Sequence, residues 1–134
     1  MNLISEARWE RWLKTTAAGT DSAAVASAAI DTGTASRALV SAEIGTVSEG
    51  GKLEITVAES DSATGTFATV ATMPAAVATS DTSWVMDVPL TKRYIKISYQ
   101  RTVANVALDS GMLLTYSGKN VPPDQPAGLM KIVK

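Results

Sequence analysis

The chain has 134 residues and a net charge of −1, and it contains neither cysteine nor histidine. This length suffices for one domain that buries roughly two-thirds of the surface of the unfolded chain. The composition excludes disulfides, thiolate or imidazole metal ligands and the usual general base near neutral pH, and the balanced charge indicates neither nucleic acid nor an anionic membrane as a partner. No run approaches the ~18 apolar residues of a membrane span, and the charged first fourteen residues do not resemble a signal peptide, so we expect a cytosol-like compartment.

The first element in chain order is a predicted amphipathic helix over residues 3–14, with Asn2 as its N-cap. Trp9, Trp12 and Leu13 lie at spacings that place them on one apolar stripe. So short a helix is marginal alone and must dock on something. Two alternatives stay open: the helix caps its own domain and buries both tryptophans, or it anchors the chain in a partner. Together with the Thr-, Ala- and Gly-rich residues after it, the helix forms a predicted N-terminal arm and linker over residues 1–21.

From residue 22 the apolar period changes to two, which predicts strands. Ala, Thr and Ser supply 50 of the 134 residues, so we expect small inward side chains and a thin core. Pro89 should end one strand, and Gly111 indicates a bulge in the longest. The predicted strands cover residues 23–30, 37–44, 52–57, 67–70, 84–88, 95–100 and 106–116. About seven short strands between turn signals favour an all-β fold, an antiparallel β-sandwich of jelly-roll or immunoglobulin-like type, over residues 22–117.

The last predicted part is an extended C-terminal arm over residues 118–134. Pro122, Pro123 and Pro126 prevent regular structure, yet the sequence becomes apolar again after them. A merely solvated tail would seldom be so apolar, and we therefore predict that both arms contact partner proteins. The predicted partner-binding residues are Trp9, Trp12, Leu13, Leu129, Met130, Ile132 and Val133.

Motifs for chemistry are weak, and we predict no catalytic residues, no cofactor and no metal. The loop at residues 59–65 is rich in carboxylates and hydroxyls but lacks the alternating ligands of a calcium loop, so we interpret it as a polar turn in which Gly65 supplies a positive φ. No serine stands in a nucleophile elbow, although a Ser–Lys dyad or a distant acid pair stays open. The basic residues around Lys92, Arg93 and Arg101 are interpreted as a turn and an outward strand face.

Residues 57–70, with the sequence VAESDSATGTFATV, resemble the E-S-D-D-G-x-T-F hairpin of small virion proteins of tailed bacteriophages, although Ser-Ala-Thr-Gly replaces the tighter Asp-Gly turn. Residues 29–32, 93–99 and 116–118 extend this resemblance over about residues 22–118. It implies a capsid decoration, or cement, protein: a non-enzymatic structural β-protein on the capsid surface, assembled in the host cytoplasm. The implied partners are the major capsid protein and further copies of the chain, with a homotrimer favoured over a dimer.

Three other functions stay open. The chain could be another head or tail component of a phage. A carbohydrate-binding module would present a planar row of aromatic rings drawn from Trp84, Tyr94, Tyr99 and Tyr116. An enzyme would need an acid pair or a Ser–Lys dyad in a concave site.

Overall fold

The computed structural model describes residues 7–116 and the backbone of residues 129–133. These residues form eleven strands and no helix, which confirms the predicted all-β class. The strands are β1 (Ala7–Leu13), β2 (Thr16–Gly19), β3 (Val25–Ala26), β4 (Ile30–Asp31), β5 (Arg37–Val47), β6 (Lys52–Ser60), β7 (Ala68–Val77), β8 (Thr82–Pro89), β9 (Tyr94–Thr102), β10 (Val106–Tyr116) and β11 (Leu129–Val133). None of the described residues belongs to a helix that could cross a membrane.

Two sheets pack face to face as a sandwich, as predicted. Sheet A has the order β1-β10-β5-β8-β11, and β2 also pairs with β10. Sheet B has the order β3-β9-β6-β7, and β4 also pairs with β9. All described pairings are antiparallel except that of β11 with β8, which is parallel. The two outermost strands of sheet A, β1 and β11, are therefore the first and last described elements of the chain.

The core lies between the sheets and follows the alternation expected of half-buried strands. In β6 the inward residues Leu53, Ile55 and Val57 are at most 2% exposed, and in β9 Ile95 and Ile97 are fully buried. Sheet A supplies the facing layer with Val40 and Ile44 of β5, Met86 and Val88 of β8, and Leu108 and Leu113 of β10. Since β5, β6 and β9 alternate cleanly, they lie close to their predicted positions, and β10 does so despite its register shift between Leu108 and Ser110.

The predicted N-terminal helix is wrong over the residues that the structure describes. Ala7–Leu13 is β1, and its residues pair with Tyr116 to Gly111 of β10. The register shifts between Arg11 and Leu13, so Trp12 occupies a bulge. This bulge breaks the period of two and leaves Trp9, Trp12 and Leu13 at spacings that imitate a helix. Pairing with β10 satisfies the backbone of the segment, whereas an isolated helix of this length is marginal.

Other differences concern short or interrupted strands. The predicted strand 23–30 is two separate two-residue strands, β3 and β4, and β2 lies in the predicted linker. Strand β7 continues through Pro74, which an edge strand tolerates because its outer N–H groups are unpaired. Of the predicted arm at 118–134, residues 118–128 and 134 lie outside the described residues, and 129–133 form β11.

Candidate protein-binding surface

Trp12 points into the sandwich and is a core residue. Its side chain is 9% exposed, and its indole N–H donates to the carbonyl oxygen of Ser41 at 2.9 Å. The ring lies 6.4 Å from that of Tyr99 in the opposite sheet. Only glycine fits beneath it, because a Cβ at Gly111 would lie 2.6 Å from Trp12 Cε2. Leu13, 6% exposed, is buried beside it. Of the predicted partner-binding residues, these two are therefore occupied within the domain.

Trp9 faces the other way and is exposed. Its side chain is 58% accessible, and its register partner on β10 is Leu114. Leu114, which is 8% exposed, pairs in turn with the half-buried Leu39 of β5, so a row of apolar residues crosses the outer face of sheet A beneath Trp9. Met112, two residues before Leu114, faces the same side. We call Trp9, Leu39, Met112 and Leu114 the Trp9 surface.

The outer face of sheet B has the opposite character. Its cross-strand pairs are Lys52 with Thr102, Glu54 with Gln100, Thr56 with Ser98 and Ala58 with Lys96. These side chains are polar in all but one position and half-buried. A sheet face of this kind is stable in water without a partner. The Trp9 surface, an apolar patch with a tryptophan at the edge of sheet A, is the better candidate for a contact with another protein.

A buried charged cluster lies beside the Trp9 surface. Asp87 of β8 is fully buried, and its Oδ1 accepts hydrogen bonds from Arg37 Nε and from the Tyr116 hydroxyl, both at 3.1 Å. Burial and the neighbouring carboxylate raise the pKa of Tyr116, so the phenol stays a donor at neutral pH. Asp87 is the register partner of Leu39. The cluster thus holds β5, β8 and β10 together at the end where β10 stops.

The four C-terminal residues of the predicted site lie across the sheet from Trp9. Leu129, Met130, Ile132 and Val133 belong to β11 and pair with Ser83, Trp84, Met86 and Asp87 of β8. With β10, β5 and β8 between β1 and β11, the structure does not bring them together with Trp9. The two groups of predicted residues instead lie on opposite edges of sheet A.

The basic residues 92, 93, 96 and 101 are each engaged within the domain. Lys92 Nζ lies 3.6 Å from Asp61 Oδ2, and Arg93 makes two hydrogen bonds of 2.9 Å to Asp31. The pKa of Asp31 falls to about 2, chiefly because of the hydrogen bond from Arg93. Lys96 Nζ stacks 4.6 Å from the centre of the Phe67 ring. These charges therefore do not form one free basic stripe.

Arg101 forms a second buried ion pair, and no sequence pattern predicts its partner. Its guanidinium binds Asp21 through Nε at 2.8 Å and Nη2 at 3.0 Å, and the two side chains are 8% and 11% exposed. Nη1 donates to the carbonyls of Ala17 and Val106. The hydrogen bond from Arg101 holds the pKa of Asp21 below its usual value. We call this group the Arg101 clamp; it fixes the crossing from sheet A to sheet B.

The loop at 59–65 binds its own backbone, as interpreted from the sequence. Ser60 Oγ accepts from the Ser62 N–H at 3.2 Å, and the Gly65 N–H donates to the Ser62 carbonyl. Gly65 does not have the predicted positive φ, which occurs instead at Gly33 and Gly50. No group of three or more acidic, histidine or cysteine residues suited to a metal ion is found among the residues that the structure describes.

Glu59 has a structural role that the motif does not reveal. It is 5% exposed, and its carboxylate accepts from the Thr91 N–H at 3.0 Å, the Lys92 N–H at 3.2 Å and the Thr91 hydroxyl. Burial raises the pKa of Glu59, but these hydrogen bonds outweigh it, and the pKa stands below the ordinary value of 4.5. The carboxylate therefore ties the end of β6 to the turn between β8 and β9.

We expect Glu59→Gln to lower the free energy of unfolding at pH 7 by about 1–2 kcal/mol, because two amide donors lose a charged acceptor. The folded-state pKa lies below the unfolded one, so the carboxylate stabilises the fold above pH 4.5, and this contribution disappears as the pH falls through the lowered pKa. Urea unfolding of both chains at pH 7 and pH 3 measures the difference. An equal gap between wild type and variant at both pH values would contradict the assignment.

A cleft of about 290 Å³ opens between the edges of the two sheets. Its lining includes Trp12, Tyr99, Val25, Lys14 and Ser27. The Ser27 hydroxyl donates to the Ala28 carbonyl and accepts from the Ile97 N–H, so it is committed to the backbone. The cleft contains no acidic side chain among its lining residues. Its geometry suits an apolar side chain better than acid–base chemistry.

The described aromatic residues do not form a planar row. Trp84, Tyr99 and Tyr116 are 2%, 8% and 4% exposed and lie within the packing. Tyr94 is half-buried, and Trp9 is the one strongly exposed aromatic side chain of the described residues. A sugar ring would therefore stack on one exposed aromatic side chain only, that of Trp9, among the described residues.

No family model matches the chain, and no curated protein matches it either.

Proposed function

We propose that the chain is a structural virion protein, a homotrimer that binds the outside of a tailed-bacteriophage capsid and cements neighbouring major capsid subunits. The observation that carries a protein-binding role is the exposed indole of Trp9 on the otherwise apolar Trp9 surface. The choice of a capsid as the partner rests on the resemblance of residues 57–70 to a virion-protein hairpin. Assembly would take place in the host cytoplasm.

The outer faces of the two sheets differ, and the difference indicates which face would contact the capsid. The outer face of sheet B is lined by charged and hydroxyl side chains. On the outer face of sheet A, Trp9, Leu39 and Met112 form an apolar patch, with Arg11 and Ser41 at its border. Tryptophan is enriched among the few residues that supply most of the binding energy in an interface. We therefore place sheet A against the capsid and sheet B toward the solvent.

We expect Trp9→Ala to weaken binding by about 30-fold or more, the loss typical of an interface hot spot. The measurement is co-sedimentation of purified protein with capsids that lack it, over a range of protein concentrations. Val77→Ala is the matched control, since Val77 is 59% exposed and lies on sheet B. Truncation of either terminus would be a poor substitute, because it removes an edge strand of sheet A.

Three results would contradict the proposal. Equal binding of Trp9→Ala and wild type would exclude the Trp9 surface, and binding to purified tails but not to heads would exclude the capsid as the partner. Glycan binding that Trp9→Ala abolishes, without binding to capsids, would support a carbohydrate-binding module in its place.

A further inference from the structure

Strand β8 lies deep in its sheet. Five consecutive residues, Trp84 to Val88, are between 0% and 8% exposed. One edge of β8 pairs with β5 and the other with β11. A buried strand with an unpaired edge would leave backbone groups unsatisfied and invite another strand to pair with it. The edge of β8 opposite β5, which we call the β8 groove, therefore requires a paired strand.

The length of the connection between β10 and β11 does not determine whether this strand comes from the same chain or from another copy of it. Strands β10, β8 and β11 run in the same direction, because β5 is antiparallel to both β10 and β8. The last residue of β10 is level with Pro89, whereas β11 begins level with Ser83, three strand positions away. At about 4.8 Å per strand and 3.3 Å per residue, the separation is roughly 25 Å. Twelve intervening residues can span up to about 40 Å, so the connection is longer than the path to the β8 groove of its own chain requires.

Apart from β11 itself, the strands at the sheet edges are protected against strand addition. The edge strand β7 contains Pro74 and two register shifts, and β3 and β4 have two residues each. Strand β1 carries exposed charges at Arg8 and Arg11 and a bulge at Trp12. Charges, bulges, proline and short length are the common means of blocking such an edge. Once β11 is removed, β8 has the edge best suited to receive an added strand among the described strands.

We infer that β11 is exchanged between copies: Leu129–Val133 of one chain pairs with β8 of a neighbouring chain in the trimer. This inference rests on the oligomer of the proposed function. The five backbone pairs are the same within a chain or between chains, so exchange costs little once neighbours are held at high effective concentration. It would link subunits so that they separate only when β11 leaves its groove, a property suited to a cementing protein.

A pair of cysteines tests the exchange directly, since the chain has none of its own. Ser83 and Leu129 are register partners, and neighbouring strands lie within disulfide range. Oxidised Ser83→Cys/Leu129→Cys protein should run as covalent oligomers on a non-reducing denaturing gel. The control Lys52→Cys/Thr102→Cys joins β6 to β9 within one chain and should stay monomeric. A disulfide that forms wholly within monomers would overturn the inference.

A second measurement uses one cysteine per chain and does not depend on the double variant. Ser83→Cys and Leu129→Cys proteins are mixed, unfolded in urea, refolded together and oxidised. Exchange predicts disulfides that join one chain of each kind, identified by mass, and their absence would refute it. Both readouts are independent of capsid co-sedimentation, so exchange can fail while capsid binding holds, and the reverse.

Discussion

Replacement of Trp12 by alanine is expected to lower the free energy of unfolding by about 3–5 kcal/mol, the range for loss of a buried large aromatic side chain. The indole fills the space above Gly111, contacts Tyr99 of the other sheet and donates to the Ser41 carbonyl. Its removal leaves a cavity between the sheets and a carbonyl without its donor. Urea unfolding followed by far-ultraviolet circular dichroism measures the loss, since fluorescence would change with the tryptophan content.

Trp9→Ala is the matched control for this experiment. The same residue type is removed from the same strand, but Trp9 is 58% exposed, and we expect a change within about 0.5 kcal/mol. Equal losses for the two variants would show that β1 does not have the described register. The two tryptophans would then have no distinct roles.

Gly111 should be coupled to Trp12. A Cβ at this position would lie 2.6 Å from the indole and 2.7 Å from Leu13 Cβ, so Gly111→Ala forces β1 away from β10. In the Trp12→Ala background the indole is gone, and the same glycine substitution should cost less. A double-mutant cycle therefore yields a coupling energy of about 1 kcal/mol or more if the contact is as described.

The bulge at Trp12 in β1 also explains which strands could be predicted from the sequence and which could not. Strands β6 and β9 largely alternate inward apolar and outward polar residues, and β5 does so except at Leu39, so their positions follow from that period. In β1 the bulge shifts the alternation by one residue, and the resulting pattern fits a helix better than a strand. Such a bulge is fixed by the fit of Trp12 over Gly111, a contact between residues 99 positions apart.

The candidate site was predictable only by residue type. Trp9 and Trp12 were both predicted to bind a partner, since a helix would place them on one stripe. On a bulged strand they face opposite sides, and the structure leaves Trp9 alone available on the Trp9 surface. Leu39, Met112 and Leu114 join it through pairing of β1, β10 and β5, and no local pattern contains that register.

Loss of the Asp21 carboxylate is expected to lower the free energy of unfolding about as much as Trp12→Ala. In Asp21→Ala the guanidinium of Arg101 stays buried with two carbonyl partners but without its counter-charge. Breaking a buried pair from one side typically costs about 3–5 kcal/mol, and the retained carbonyl bonds favour the lower end. The pair is also non-local, since Asp21 precedes β3 while Arg101 lies near the end of β9. Urea unfolding at pH 7 measures the loss.

A second Arg–Asp pair with similar hydrogen bonds is exposed, so comparing the two pairs isolates the effect of burial. Arg93 and Asp31 also form two hydrogen bonds, at 2.9 Å each, but their side chains are 59% and 42% exposed. Water and salt weaken such a pair, so Asp31→Ala should change stability far less than Asp21→Ala. Raising the salt concentration should shrink the Asp31 effect and leave the Asp21 effect nearly unchanged. If Asp21→Ala and Asp31→Ala lose the same stability, burial does not govern the strength of the Arg101 clamp. The crossing from sheet A to sheet B would then be held by backbone hydrogen bonds.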